Sequence, residues 1–264
     1  MPAASAYKPE QRIFALFVGR SGDGKSVAAA SFPRPLFNLD FDMRFGGIAA
    51  AIKQGIITDK DMTYQQFPPR NGLALLNKQL DQFAVDVFGG KFPYKTVQTD
   101  SLTNLARLCM NVARKETKGQ MIGATRMPGP TDYRYESTAV HDYFDFMRTF
   151  PSNILVTAHS LDRYGRPEPE LDNQGNVINA YEPAEVVGEK LAVRDNLGET
   201  VLTYFDNVWK FSRQTDGKHI RFFVEFASDL AKNSFGIMPG KHDITNKNFY
   251  NFLMEKVGAV PAAA

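Results

Sequence analysis

Residues 19–27 have the types and spacing that binding a polyphosphate requires. The first eight fit the pattern Gly-x-x-x-x-Gly-Lys-Ser, and the nine residues are Gly19, Arg20, Ser21, Gly22, Asp23, Gly24, Lys25, Ser26 and Val27. Glycines let a backbone curl so that its N–H groups converge on phosphate oxygens, and the N-terminus of a following helix adds partial positive charge. Lys25 is then expected to reach the β- and γ-phosphates, and the Ser26 hydroxyl to bind Mg²⁺. The pattern predicts a nucleotide-binding loop.

Three aspartates lie at the ends of predicted strands and are candidates for the acids of a magnesium–nucleotide site. Asp100 closes the run 94–99, where it would support the metal ion, although Asp100 or Ser101 could equally cap the next helix. Asp40 and Asp42 end the run that begins at Leu36, and strand alternation places both on one side. Either could orient the water that attacks the γ-phosphate; Asp42 is preferred, and solvation of a loop is the alternative.

One histidine also lies at the end of an apolar run. His159 follows residues 153–158, a position from which it could contact the γ-phosphate and signal its presence to the next loop. A purely structural role is the alternative. The other three histidines have no metal-ligand spacing with one another or with Cys109, so no structural metal is expected.

The apolar pattern around these residues predicts an α/β fold. Short buried strands over residues 12–18, 36–39, 94–99 and 153–158 alternate with helical periodicity beginning at residue 25 and over 73–88, 101–115 and 137–150. Such alternation is typical of a mostly parallel sheet flanked by helices, with functional groups at the carboxyl ends of the strands. Residues 206–212 and 220–226 instead alternate like antiparallel strands, and a polar turn at 172–175 indicates a hairpin.

The apolar pattern also divides the chain into three parts. Residues 1–11 are expected to be a flexible N-terminus, and residues 12–240 a single core. Within the core, residues 115–135 hold three glycines and two prolines without an apolar period, which predicts a mobile loop or insertion. Residues 241–264 form a C-terminal helix and a frayed tail, with Thr245 as the helix cap.

Composition limits the function without naming it. Hydrophobic residues make up 43% and charged residues 23% of 264, which excludes a disordered or low-complexity protein. A net charge of +2 gives little overall attraction to polyanions, so any such contact must come from local clusters. The single Cys109 is expected to fill the core. No run approaches the roughly 18 apolar residues of a membrane span, and the start lacks a signal-peptide core, so a cytoplasmic protein is expected.

The motifs taken together resemble those of phage-encoded RecA-like ATPases, often grouped as AAA or nucleotide-binding proteins, some of which are single-strand annealing recombinases. The resemblance spans residues 12–240 and includes the run Ala231-Lys232-Asn233-Ser234-Phe235-Gly236. It implies a RecA-like core, ATP hydrolysis with Mg²⁺, rings or filaments, and single-stranded DNA bound by loops, in DNA recombination or replication. Asp42 falls where such proteins carry a glutamate, which implies slow turnover. Lys232 resembles the basic residue that they insert into a neighbouring subunit's ATP site; a solvated lysine is the alternative.

A DNA-binding surface is permitted by the predicted loop 115–135. Its cations and stacking aromatics are Lys115, Lys118, Arg126, Arg134, Tyr133 and Tyr135, and a second run, Arg163-Tyr164-Gly165-Arg166, could also touch a strand. Other functions stay open. A nucleotide-gated assembly or scaffold protein with little catalysis is the main one, and a small-molecule phosphotransferase is a third, although no arginine-rich lid is visible. A GTPase is disfavoured because Asn246-Lys247 lacks the acid that would bind a guanine edge.

Overall fold

The computed structural model describes residues 12–116, 121–122, 125–165, 174, 185–217, 219–226 and 230–258. The strands are β1 (Phe14–Gly19), β2 (Leu36–Asp40), β3 (Met62–Gln66), β4 (Thr96–Asp100), β5 (Met121–Ile122), β6 (Thr125–Arg126), β7 (Asn153–Gly165), β8 (Glu185–Leu191), β9 (Asn207–Asp216), β10 (His219–Glu225) and β11 (Lys241–Asp243). The α-helices are α1 (Lys25–Ala29), α2 (Gly46–Lys53), α3 (Gly72–Phe88), α4 (Leu102–Glu116), α5 (Pro130–Met147), α6 (Asp195–Val201) and α7 (Phe249–Lys256).

The described strands build a mostly parallel sheet, which confirms the predicted α/β class. The order is β11-β10-β9-β1-β7-β4-β2-β3, with β8 paired to β7 as the ninth strand. The strands from β9 to β3 in this order run parallel, whereas β10, β11 and β8 pair antiparallel. Because parallel strands end at the same edge of a sheet, Gly19, Asp40, Asp100 and the middle of β7 lie at one edge.

Both faces of the sheet are buried, as the apolar run of β1 predicts. Phe14, Leu16 and Val18 pack into a core on one face, against residues of α3, α4 and α5. Phe17 packs into a second core on the other face, with residues of α1, β9 and α7. Cys109 belongs to the first core, where it is 3% exposed and where burial raises the pKa of its thiol to about 12.

Several elements differ from the sequence prediction. Helix α2 and strand β3 were not predicted, and both present few buried apolar side chains: α2 buries only Ile48 and Ala51, and β3 is polar at the edge of the sheet. Helix α5 begins at Pro130 rather than at residue 137, so the last part of the predicted loop is helical. Strand β7 does not stop before His159 but continues to Gly165, because β8 pairs with its second half.

The cap of the C-terminal helix was also predicted wrongly. Asn248, not Thr245, is the N-cap of α7, and its side chain accepts a hydrogen bond from the Asn251 amide. The Thr245 hydroxyl accepts one from the Phe222 amide of β10 instead, at 2.9 Å. No helix in the described part of the chain is long and apolar enough to cross a membrane. Predictions on residues 1–11, Lys118, Arg166, the 172–175 turn apart from Gln174, and the tail 259–264 fall outside the described residues.

Candidate nucleotide site

The loop between β1 and α1 has the backbone shape that its glycines predict. Gly22 and Gly24 adopt positive φ angles of 85° and 86°, which side chains with a Cβ atom rarely tolerate. A Cβ atom at Gly19 would clash with the backbone carbonyl oxygen of Phe211 on the neighbouring strand β9. Asp23 braces the curl: it is 5% exposed and accepts a hydrogen bond from the Arg20 amide at 2.7 Å. The loop therefore curls between strand and helix as a phosphate cradle requires.

The Lys25 side chain lies inside this curl. It is 5% exposed, and its Nζ donates hydrogen bonds to the carbonyl oxygens of Gly19 at 2.9 Å and Arg20 at 2.8 Å. Burial lowers the pKa of this ammonium group, and the charges of Asp100, Asp23 and Asp42 oppose that shift. A buried ammonium near three carboxylates is poised to exchange its carbonyl partners for phosphate oxygens.

Asp100 and Ser26 meet at the same edge. Asp100 ends β4, is 5% exposed and bonds with the side chain of Ser26, while the Thr157 hydroxyl of β7 donates to its Oδ1. Burial raises the pKa of Asp100, the hydrogen bonds from Ser26 and Thr157 oppose this, and the charges of Asp42 and Asp40 add to it. A hydroxyl and a carboxylate side by side beside a phosphate cradle fit Mg²⁺, which prefers oxygen ligands.

The Asp42 carboxylate is hydrogen-bonded to side chains from β7, from α4 and from the residue before α4. Its Oδ1 accepts hydrogen bonds from Ser101 at 2.6 Å and Asn104 at 2.7 Å, and its Oδ2 lies 3.1 Å from Nε2 of His159. Burial favours the neutral acid, but the hydrogen bonds from His159, Ser101 and Asn104 outweigh it and lower the pKa of Asp42 to about 2. Asp42 is thus a fixed, ionised carboxylate.

Two predicted site residues lie apart from this group. The sequence predicted that strand alternation places Asp40 and Asp42 on one side. Strand β2 ends at Asp40, so Asp42 lies outside the strand and the alternation does not apply to it. Asp40 is 2% exposed and accepts a hydrogen bond from Gln66 on β3 at 3.0 Å. Lys232 pairs with Val208 in an isolated bridge, and its Nζ donates to the carbonyl oxygen of Leu202 at 2.9 Å. Neither residue lines the cavity at the loop.

A cavity of about 430 Å³ opens on the phosphate-binding loop and extends away from it. Residues 21–28 of the loop and α1 line it, together with Asp42, Asp100 and His159. The rest of the lining was missed by sequence reasoning and comes from the turn after β2, from α2 with the turn after it, and from β10, the start of α7 and the chain before α7: Arg44, Gly47, Ala50, Ala51, Gln54, Ile56, Phe222, Ile244, Asn246, Lys247 and Phe249. An apolar slot with amide groups beside a phosphate cradle suits a nucleobase.

Some of the site residues that sequence reasoning missed are marked by a local sequence signal, and others are not. Ser101 and Asn104 follow Asp100 at the start of a predicted helix, where short polar side chains commonly face back to the strand end. The lining residues of α2 lie more than 150 positions away from those of the C-terminal segment, and no sequence pattern brings the two together. Asn246-Lys247, unsuited by sequence to a GTPase motif, nevertheless lines the cavity.

The glycine-rich loop connects a buried strand to a helix at the carboxyl edge of a parallel sheet, and its lysine lies inside the loop. These features define a P-loop NTPase fold. A family model described as an AAA domain matches residues 11–219, and the chain belongs to that family. Membership indicates nucleotide binding and hydrolysis. A comparison with curated proteins gives no match.

Proposed function

We propose that the chain binds Mg-ATP in the 430 Å³ cavity and hydrolyses it. One observation carries the proposal: a single cavity is lined by the phosphate-binding loop, the Ser26–Asp100 pair, the Asp42–His159 pair and apolar side chains of α2 and of the chain from β10 to α7. The triphosphate would lie on the loop amides and Lys25, and the adenine between α2 and the segment before α7.

The chemistry assigned to each residue follows from its charge and position. Mg²⁺, held by Ser26 with Asp100 behind it, would neutralise charge on the phosphates. Asp42 stays ionised at neutral pH because three donors hold it, so it can accept a hydrogen bond from the attacking water and orient it. His159 holds the Asp42 carboxylate and would respond to the γ-phosphate at the start of the β7–β8 hairpin.

The first test removes the lysine in the loop. Lys25→Ala should abolish detectable Mg-ATP binding in calorimetry, since it deletes the ammonium group that lies inside the curl of the loop. Lys53→Ala is the matched control, because Lys53 is exposed on α2 and does not line the cavity. Unchanged binding in Lys25→Ala, with the protein folded, would refute the site.

We further propose that the chain acts in phage DNA recombination or replication as an oligomer holding single-stranded DNA. Two of the candidate contacts are engaged within the chain: Arg126 pairs with buried Asp132, and Arg194 covers the Tyr133 ring at 5.2 Å. Other candidates are exposed: Arg134 and Tyr135 on α5, and Arg163 and Tyr164 on β7, where Tyr164 is 63% exposed. An exposed aromatic ring beside a cation is suited to stacking a base and binding its phosphate.

The alternative is a nucleotide-gated assembly protein with little catalysis. The short side chain of Asp42, held by three donors, favours slow turnover. ATP turnover measured with and without single-stranded DNA across a salt series separates the two. Stimulation that fades as salt rises supports the DNA-dependent ATPase. Turnover that ignores DNA, together with a change of particle size on adding ATP in light scattering, supports the assembly protein.

A further inference from the structure

A second cavity, of about 370 Å³, lies next to the nucleotide cavity. Its walls come from the turn after β2, the segment before α3 and the first turns of α4. The two cavities share Asp42, Arg44 and His159 in their linings. The nucleotide scheme above leaves this space without a ligand.

The lining of the second cavity favours an anion. Arg44 and Arg107 are exposed, and neither has an acidic partner among the described residues. Asp42 is the one carboxylate of the lining, and it is already bound to Ser101, Asn104 and His159. Two guanidinium groups against one satisfied carboxylate leave net positive charge.

The remaining lining adds polar and apolar surface. The amides of Asn104 and Asn111 and the hydroxyl of Thr103 are hydrogen-bonding groups, and Phe41, Phe67 and Leu108 contribute buried carbon surface. Guanidinium groups bind phosphate oxygens through paired N–H donors, so two of them beside hydrogen-bonding amides suit a phosphate group.

We infer that this second cavity binds a phosphate group of a ligand other than the cavity-bound ATP, with Arg44 and Arg107 as its cationic partners. Two sources share that chemistry: inorganic phosphate leaving after hydrolysis, and a phosphodiester of a nucleic-acid strand. The site borders the Asp42–His159 pair, so its ligand would lie beside the residues proposed to orient water. This last consequence, and the leaving phosphate as a source, rest on the proposed function.

The test uses the full chain with its nucleotide cavity filled by Mg²⁺ and a non-hydrolysable ATP analogue. Binding of inorganic phosphate is measured by phosphorus NMR line broadening, and analogue binding is confirmed first by calorimetry. The wild type should bind phosphate, and Arg107→Gln should weaken that binding about tenfold or more, the usual effect of losing a charge-assisted hydrogen bond. Arg107 lines the second cavity and not the first, so analogue binding should not change.

Lys78→Gln is the matched control, since Lys78 is exposed on α3 and lines neither cavity. Equal phosphate binding by Arg107→Gln and wild type, or none by the wild type, overturns the inference. If the analogue itself fails to bind, the ATP proposal fails, and the comparison of Arg107→Gln with wild type still decides the second site. Displacement of phosphate by a short oligothymidine identifies the phosphodiester as the source; no displacement identifies the leaving phosphate.

Discussion

Asp42 is one methylene shorter than the glutamate of the RecA-like ATPases that the sequence resembles. If it orients the attacking water, Asp42→Asn should slow ATP turnover by about 10² to 10⁴-fold, the usual contribution of a positioned base, while leaving nucleotide binding largely intact. Steady-state turnover and calorimetry measure the two effects. Asp40→Asn is the control, because Asp40 is buried against β3 and outside the cavity. If ATP turnover is slow in Asp40→Asn and unchanged in Asp42→Asn, the residue that orients the water is Asp40.

The hydrogen bonds to Asp42 also predict how stability depends on pH. Its pKa is lowered from 3.8 to about 2 in the folded chain, so its ionised form contributes on the order of 2 kcal/mol at neutral pH. A depressed pKa means that this contribution is complete above the unfolded pKa and disappears as pH falls through the folded one. The difference in unfolding free energy between wild type and Asp42→Asn should therefore be constant above about pH 5 and shrink between about pH 4 and 2. A difference that grows on acidification contradicts this.

At the scale of elements, the phosphate-binding loop depends on close contact between β1 and β9. Gly19→Ala should lower the free energy of unfolding by about 1–3 kcal/mol, because the new methyl group meets a backbone carbonyl that cannot move aside. Urea unfolding measures the loss. Gly46→Ala is the control: a methyl group there meets no atom within 4 Å, so its stability should stay the same or rise slightly. Equal effects of the two substitutions would contradict the packing argument.

The elements also show where sequence patterns stop being informative. Strand β1 was predictable because both of its faces are buried and its residues form an unbroken apolar run. Strands β2 and β4 are buried as well, although β2 includes polar residues and β4 has only one apolar residue, Val97. Strand β3 lies at the sheet edge and has no fully buried residue, so neither a run nor an alternation marks it. Helix α2 begins with two glycines, which locally favour a loop, and is held by contacts of Ile48 and Ala51 with α1 and Ile57.

At the scale of the whole molecule, the C-terminal segment belongs to the site. Phe249 packs against Phe17 and Trp209 at ring-centroid distances of 5.7 and 5.6 Å and also lines the nucleotide cavity. Phe249→Ala should cost about 3–5 kcal/mol of unfolding free energy, the usual cost of a large core cavity, and should also weaken ATP binding. Denaturant unfolding and calorimetry measure these effects. Phe88→Ala, at a side chain 78% exposed, should change stability by less than about 0.5 kcal/mol.

The sequence by itself determined the phosphate-binding loop, the parallel sheet and the position of Asp100 at a strand end. It predicted a strand end at His159 as well, but β7 continues past that residue to Gly165. These features are local: they depend on glycine torsions, on apolar runs and on the residue that follows each run. Only the tertiary structure decided that His159 bonds with Asp42 and not with Asp40. It also decided that α2 and the C-terminal segment line the same cavity, and that a second, cationic cavity adjoins the first. Those contacts join residues distant along the chain, so strand order and packing create them, and no spacing in the sequence encodes them.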